Sequence, residues 1–123
     1  MAKILIVDDE ESIRLLYSEE LTSDGYEVAL AEDGHRLVER IEEEKPDVIV
    51  LDIKMAGYNG LDLLQSIRER FYNMPVILCS AYSMFKGDLK SMAADYYVVK
   101  SSDLSELKKN IGQALEGRTG PDA

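Results

Sequence analysis

Four short, unbroken apolar runs punctuate the chain, and each stops at a chemically active residue. Ile4-Leu5-Ile6-Val7 ends at Asp8-Asp9, and Val48-Ile49-Val50-Leu51 ends at Asp52. Pro75-Val76-Ile77-Leu78-Cys79 ends at Ser80, and Tyr96-Tyr97-Val98-Val99 ends at Lys100. Runs this short that are apolar at nearly every position read as strands covered on both faces. With a fifth at Glu27–Leu30, the predicted strands are Lys3–Val7, Glu27–Leu30, Val48–Leu51, Val76–Cys79 and Tyr96–Val99.

Between the strands the apolar positions change to helical spacing. Ile13, Leu16, Tyr17 and Leu21 form one stripe, and Gly25 supplies a stop. Asp33-Gly34 turns into a helix carrying Leu37, Val38 and Ile41, which Pro46 ends. Asn59-Gly60 opens a third with Leu61, Leu64, Ile67 and Phe71. Ser83–Ala93 carries Phe85, Leu89 and Met92, but Gly87 inside it costs about 1 kcal/mol relative to alanine, so it is the weakest helix. Asp103 begins the last helix, with Leu104, Leu107, Ile111, Ala114 and Leu115 on its stripe and Glu106 placed for a capping box. Strict alternation of strand and helix predicts an α/β fold: a doubly wound parallel sheet with helices on both faces and right-handed crossovers.

Length and charge narrow the picture. At 123 residues the chain suits one domain, assigned to 1–117, with 118–123 as a flexible tail. The formal net charge of −10 argues against direct binding to nucleic acid or to an anionic membrane surface. It suits basic protein partners. Cys79 is the only cysteine, so no internal disulfide forms, and its apolar run marks it as a small buried hydrophobe. Met1-Ala2-Lys3 leads directly into a strand-length run and no apolar run is long enough to span a bilayer, so the cytoplasm is the expected location.

Ligands of open α/β sheets gather at the carboxyl ends of the strands. Asp8, Asp9, Asp52, Ser80 and Lys100 should therefore meet at one edge. Carboxylates brought together repel unless something neutralises them, and a hard cation such as Mg2+, with its preference for oxygen ligands, does so. Without His or Cys in the cluster, zinc and copper are disfavoured. An aspartate can also attack phosphorus and form an acyl phosphate. Asp52 ends the strand expected at the centre of the sheet and is the favoured nucleophile. Lys100 would balance the transferring charge, and Ser80 would donate a hydrogen bond to it.

These residues resemble the receiver domains of two-component response regulators. The matching pieces are Ile-Leu-Ile-Val-Asp8-Asp9-Glu10, Val-Leu-Asp52-Ile-Lys54-Met55 followed by Asn59-Gly60, Ser80-Ala81, and Ala94-Asp95-Tyr96-Tyr97-Val98-Val99-Lys100. The resemblance implies a flavodoxin-like (βα)5 fold with strand order 2-1-3-4-5. It implies that Asp52 takes a phosphoryl group from the phosphohistidine of a histidine kinase or phosphotransfer protein. Asp9 and Asp52 would bind Mg2+ directly, Asp8 through water, and the Lys54 carbonyl would complete the protein ligands. Ser80 and Tyr97 would act as the switch, remodelling a face that binds a downstream protein target. The chain would be a monomer or a weak phosphorylation-dependent dimer. It would assist its own phosphorylation and dephosphorylation without being a conventional enzyme.

Two positions depart from the family pattern, which has proline where this chain has Ser101 and Ala56. A cis bond before a non-proline residue costs roughly 2.5–4 kcal/mol, so Lys100–Ser101 is expected trans. Ala56 with Gly57 is expected to loosen the loop after Asp52. The departures leave open a degenerate receiver that docks partners without phosphorylation. A haloacid-dehalogenase-like phosphatase needs an acid two residues after its nucleophile, where Lys54 stands. A flavin or nucleotide binder needs a small-residue phosphate loop, where Asp8-Asp9-Glu10-Glu11 stands. His35 is expected exposed and remote from the site, and Tyr82 and Tyr96 on the surface.

Overall fold

In the computed structural model residues 2–81, 93–101 and 103–116 are described. Strand β1 (Lys3–Val7) leads to helix α1 (Glu11–Ser23), then β2 (Glu27–Ala31), α2 (Leu37–Glu44) and β3 (Val48–Asp52). Two short strands follow, β4 (Lys54–Met55) and β5 (Tyr58–Asn59), then α3 (Gly60–Arg70), β6 (Val76–Ser80), β7 (Tyr96–Val99) and α4 (Ser105–Glu116). The main sheet is parallel throughout, in the order β2-β1-β3-β6-β7. With the β4-β5 hairpin left out of the count, this is the flavodoxin-like order 2-1-3-4-5. The weak helix expected over Ser83–Ala93 lies outside the described residues except for Ala93; Tyr82 and the tail lie outside them too.

The unbroken apolar runs are explained by helices on both faces. Leu5, Val7, Ala29, Ile49, Leu51, Val76 and Leu78 pack against Leu37 and Ile41 of α2 and Leu61, Leu64 and Ile67 of α3. Their neighbours Ile4, Ile6, Val48, Val50, Ile77, Cys79 and Val98 pack against Tyr17 and Leu21 of α1 and Leu107, Ile111 and Ala114 of α4. Side chains of a strand alternate between faces, so a strand buried on both shows no polar alternation. Cys79 is buried, as expected. The α1 stripe is narrower than predicted: Tyr17 and Leu21 are buried, while Leu16 is 38% exposed beside Leu15 at 53%.

Helix entries depart from the sequence in informative ways. Residues 33–36 form a turn ahead of α2, so His35 precedes the helix and Arg36 sits at its start with a left-handed backbone (φ 52°). At α4 the two-way capping box gives way to a local turn. Asp103 Oδ1 accepts from the Ser105 N–H at 2.9 Å, and the Asp103 N–H donates to Ser101 Oγ, also at 2.9 Å. Ser101, one of the two departures, thus stabilises the loop after Lys100 through its own hydroxyl. No cis peptide bond occurs among the described residues, so Lys100–Ser101 is trans.

The segment after β3 is more ordered than its Ala-Gly pair suggests. Met55 pairs with Tyr58 and Lys54 with Asn59 in an antiparallel hairpin, with Gly57 at φ 79° in the turn. Asn59 caps α3 by accepting from the Leu61 N–H at 2.8 Å. The Gly60 N–H donates to the Ile53 carbonyl at 2.6 Å. A Cβ at Gly60 would overlap the Asp52 carbonyl and lie 2.7 Å from the Ile53 Cα. Gly60→Ala is therefore expected to displace backbone beside Asp52 and to destabilise the protein by about 1–3 kcal/mol in urea unfolding. Unchanged stability would show that this contact relaxes freely.

Candidate functional site

Parallel pairing in register aligns the strand ends. Val7 stands beside Leu51, so the next residues, Asp8 and Asp52, share the edge, and Asp52 stands beside Cys79. Ser80 stands beside Val99, and the Lys100 N–H donates to the Ser80 carbonyl at 2.6 Å. The Asp8 N–H donates to the Ala31 carbonyl of β2 at 3.1 Å. Backbone ladders thus deliver all four groups to one place.

The centre of the site is an ion-paired cluster. Lys100 Nζ lies 2.8 Å from Asp8 Oδ2 and 3.3 Å from Asp52 Oδ1, with Glu10 Oε1 further out at 3.8 Å. Asp8 and Asp52 are buried, and Ser80 is fully enclosed. Burial pushes the Asp52 carboxyl up to about 6; the charge of Asp8 adds to this, and Lys100 opposes it without cancelling it. Burial by itself would lower the Lys100 ammonium. The hydrogen bond to Asp8 and the charges of Asp52 and Asp8 outweigh it and leave the group above its usual value, hence protonated at neutral pH.

Asp9 differs from its neighbour. It is exposed, and its Oδ2 accepts from the Ala56 N–H of the β4-β5 turn at 3.0 Å. Asp8 Oδ1 accepts from the Glu10 N–H at 2.9 Å, and the Asp8 carbonyl accepts from Arg14 Nη1 at 2.8 Å. Carboxylate oxygens of Asp8, Asp9 and Glu10 all lie within 4.8 Å of one another. This donor set consists of oxygen atoms alone and suits a hard divalent cation. Asp52 is joined to it through Lys100.

The structure therefore brings Asp8, Asp52 and Lys100 together, with Ser80 on the adjoining strand end and Asp9 at the rim. Tyr97 is half-buried beside Leu78 in register, on the same sheet face as Ser80. Tyr96, expected on the surface, is half-buried against the opposite face. Lys54 has an exposed side chain at the start of the hairpin. Two further points were missed or misplaced. Glu10 belongs to the carboxylate cluster; its signal was its place in the Asp-Asp-Glu run. Ala56 was expected to loosen its loop, but its N–H ties the loop to Asp9. His35 is exposed as expected, yet its Nδ1 lies 3.4 Å from the Tyr58 hydroxyl because the hairpin folds across toward α2.

A doubly wound parallel sheet with a lysine-bridged acidic pair at its carboxyl edge defines the class. A family model of the response regulator receiver domain matches residues 4–112. The chain belongs to the response regulator receiver domain family. It is 32% identical over 122 residues to Response regulator MprA of Mycolicibacterium vanbaalenii, covering 98% of this chain and 52% of that protein. It therefore spans about half the length of that relative. It is 30% identical over 115 residues to Sporulation initiation phosphotransferase F of Bacillus subtilis, covering 92% of this chain and 93% of that one. The structure of response regulator TrrA from Thermotoga maritima in complex with Mg2+-BeF superposes with a TM-score of 0.89 at 42% identity, covering 93% of this chain and 99% of TrrA. TrrA has also been solved in complex with the histidine kinase ThkA, and there it superposes with a TM-score of 0.87.

The raised Asp52 value has a consequence for stability. Its folded value, about 6, exceeds its ordinary 3.8, so the folded state holds the proton more tightly. The favourable contribution is complete below about pH 4 and is lost as pH rises through about 6, where the buried group must ionise. In metal-free protein, Asp52→Asn should therefore be more stable than wild type by about 1–2 kcal/mol near pH 7. The gap should close toward pH 4. Urea unfolding in EDTA across that range checks it, and a gap of opposite sign would show that Lys100 overcompensates the burial.

Proposed function

We propose that this chain is a phosphoacceptor module, with Asp52 receiving a phosphoryl group from phosphohistidine on a histidine kinase or phosphotransfer protein. The observation that carries this reading is the Lys100 ammonium held between Asp8 and Asp52 in a buried edge. Asp52 supplies a nucleophilic oxygen facing a fixed positive charge. As that oxygen bonds to phosphorus, the phosphorus–nitrogen bond of the donor breaks and its electron pair stays on the imidazole. Lys100 can then follow the charge from the carboxylate to the phosphoryl oxygens without a large movement.

Asp8, Asp9 and Asp52, with the Lys54 carbonyl, would hold Mg2+, and Glu10 borders the same cluster. When bound, the cation offsets the carboxylate and phosphoryl charge. Ser80 and Tyr97, on one sheet face, are the groups through which the modified Asp52 would favour one of two conformations and alter a face that binds a downstream protein. TrrA, solved with Mg2+-BeF and with the kinase ThkA, supports both the cation and the kind of partner. On this reading the module turns over only its own phosphoryl group. No helix among the described residues is long and apolar enough to cross a membrane, and cytoplasmic action as a monomer or weak dimer is part of the proposal.

The test is phosphoryl labelling by acetyl phosphate and by a phosphorylated kinase domain. Wild type should take up label with Mg2+ and none with EDTA, and Asp52→Asn should take up none. Lys100→Ala should slow labelling by about 10²-fold, the scale of one lost charge-stabilising group. Wild type that stays unlabelled by both donors would replace this reading with a constitutive docking module.

A further inference from the structure

We propose that Ala56 acts through its main-chain N–H as a positioning residue, holding the Asp9 carboxylate ready for a divalent cation. The inference rests on reading the acidic edge as a cation site and concerns what aligns its exposed member. Asp8 and Asp52 are buried and fixed by Lys100. Asp9 lies at the rim, where an aspartate side chain would otherwise sample several rotamers. Its Oδ2 accepts instead from the Ala56 N–H at 3.0 Å, across 47 residues of sequence.

Alanine at this position leaves a main-chain N–H free to reach Asp9. The family pattern has proline at this position, and proline has no N–H to give. The turn itself does not need the donor. Met55 pairs with Tyr58, leaving Ala56 and Gly57 as the two turn residues. Gly57 at φ 79° matches the second central position of a type II turn, whose first central position readily accepts proline. The Ala56 N–H therefore serves Asp9 and not the hairpin ladder.

The hairpin is well placed to transmit order. Its base is anchored where the Gly60 N–H meets the Ile53 carbonyl and the Gly60 Cα lies against the Asp52 backbone. Its tip reaches Asp9. The hairpin thus straps the end of β1 to the end of β3, the two segments that supply the carboxylates. A carboxylate has about four lone-pair positions, so one N–H leaves room for a cation. Fixing the side chain beforehand reduces what must be ordered on binding.

The experiment is calorimetric titration of the unphosphorylated chain with Mg2+ alone. Ala56→Pro should raise the dissociation constant about three- to tenfold, the lower end of what outer partners of metal ligands contribute, because Asp9 is exposed. Ala56→Gly and Ala56→Ser keep the N–H and should stay within about twofold of wild type. On an Asp9→Ala background, Ala56→Pro should add no further loss. Equal urea midpoints in EDTA for wild type and Ala56→Pro would place the effect in cation binding, whereas a lowered midpoint that accounts for the weakening would overturn the proposal. Ala56→Pro that binds Mg2+ like wild type, or Ala56→Gly that weakens binding equally, would also overturn it while leaving the cation site intact. Wild type that takes up no Mg2+ overturns the site reading itself, and this proposal with it.

Discussion

The structure turns on one ammonium group between two buried carboxylates. Asp8 and Asp52 stand on neighbouring strands and point into the same enclosed edge, an arrangement that repulsion and desolvation both oppose. Lys100 makes it tenable. Opposite charges about 4 Å apart gain roughly 4 kcal/mol at an effective dielectric constant near 20, the scale of the effective desolvation they must offset. The balance is incomplete, since Asp52 remains pushed up to about 6 despite the lysine. On the proposed reading this incompleteness has a use. An edge still short of positive charge favours a cation, and a carboxylate that is poorly solvated is a better nucleophile than one fully paired.

The layers around this cluster keep its electrostatics simple. Beneath it, the Tyr17 hydroxyl and the Cys79 thiol meet at 3.5 Å in the core between α1 and β6. Burial raises both, Cys79 to about 11 and Tyr17 beyond the ordinary range for a phenol, so both stay neutral and add no charge to the floor of the site. Above it, charge lies where water can reach it, on Asp9 and Glu10. The site thus has a buried pair that salt screens far less than the exposed carboxylates of its rim.

The fold was legible because a sheet buried on both faces leaves a plain record: four apolar runs, each ending where the ladder ends. The same record located Asp8, Asp52, Ser80 and Lys100, since in-register parallel strands bring their carboxyl ends together. What the sequence hid was decided by single contacts. The 54–59 hairpin is two residues deep on each side, too short for a periodic signal. Ala56 read as a lost proline, although the loss of a ring was also the gain of a donor. The contact of His35 with Tyr58 was hidden because topology does not show that the hairpin crosses toward α2. Leu16 fitted the α1 stripe by spacing, but the sheet is covered by Tyr17 and Leu21 before that side of the helix is reached.

Placement of the lysine depends on a residue far from it in sequence. Strand β7 is four residues long, and both of its ends are pinned. At its start, Asp95 Oδ2 accepts from the Val76 N–H and from Arg68 Nη2, each at 2.8 Å. The same guanidinium donates to the carbonyls of Ala93, Tyr72 and Met74, so the end of α3, the loop before β6 and the approach to β7 meet on one side chain. At the other end, the Lys100 N–H closes on Ser80. A slip of one residue between these pins would move the lysine by about 3.3 Å along the strand and turn its side chain to the other face. Either change breaks contacts of 2.8 and 3.3 Å to Asp8 and Asp52. The register of a short edge strand, held by Arg68 at one end, is therefore what allows two acids to be buried at the other.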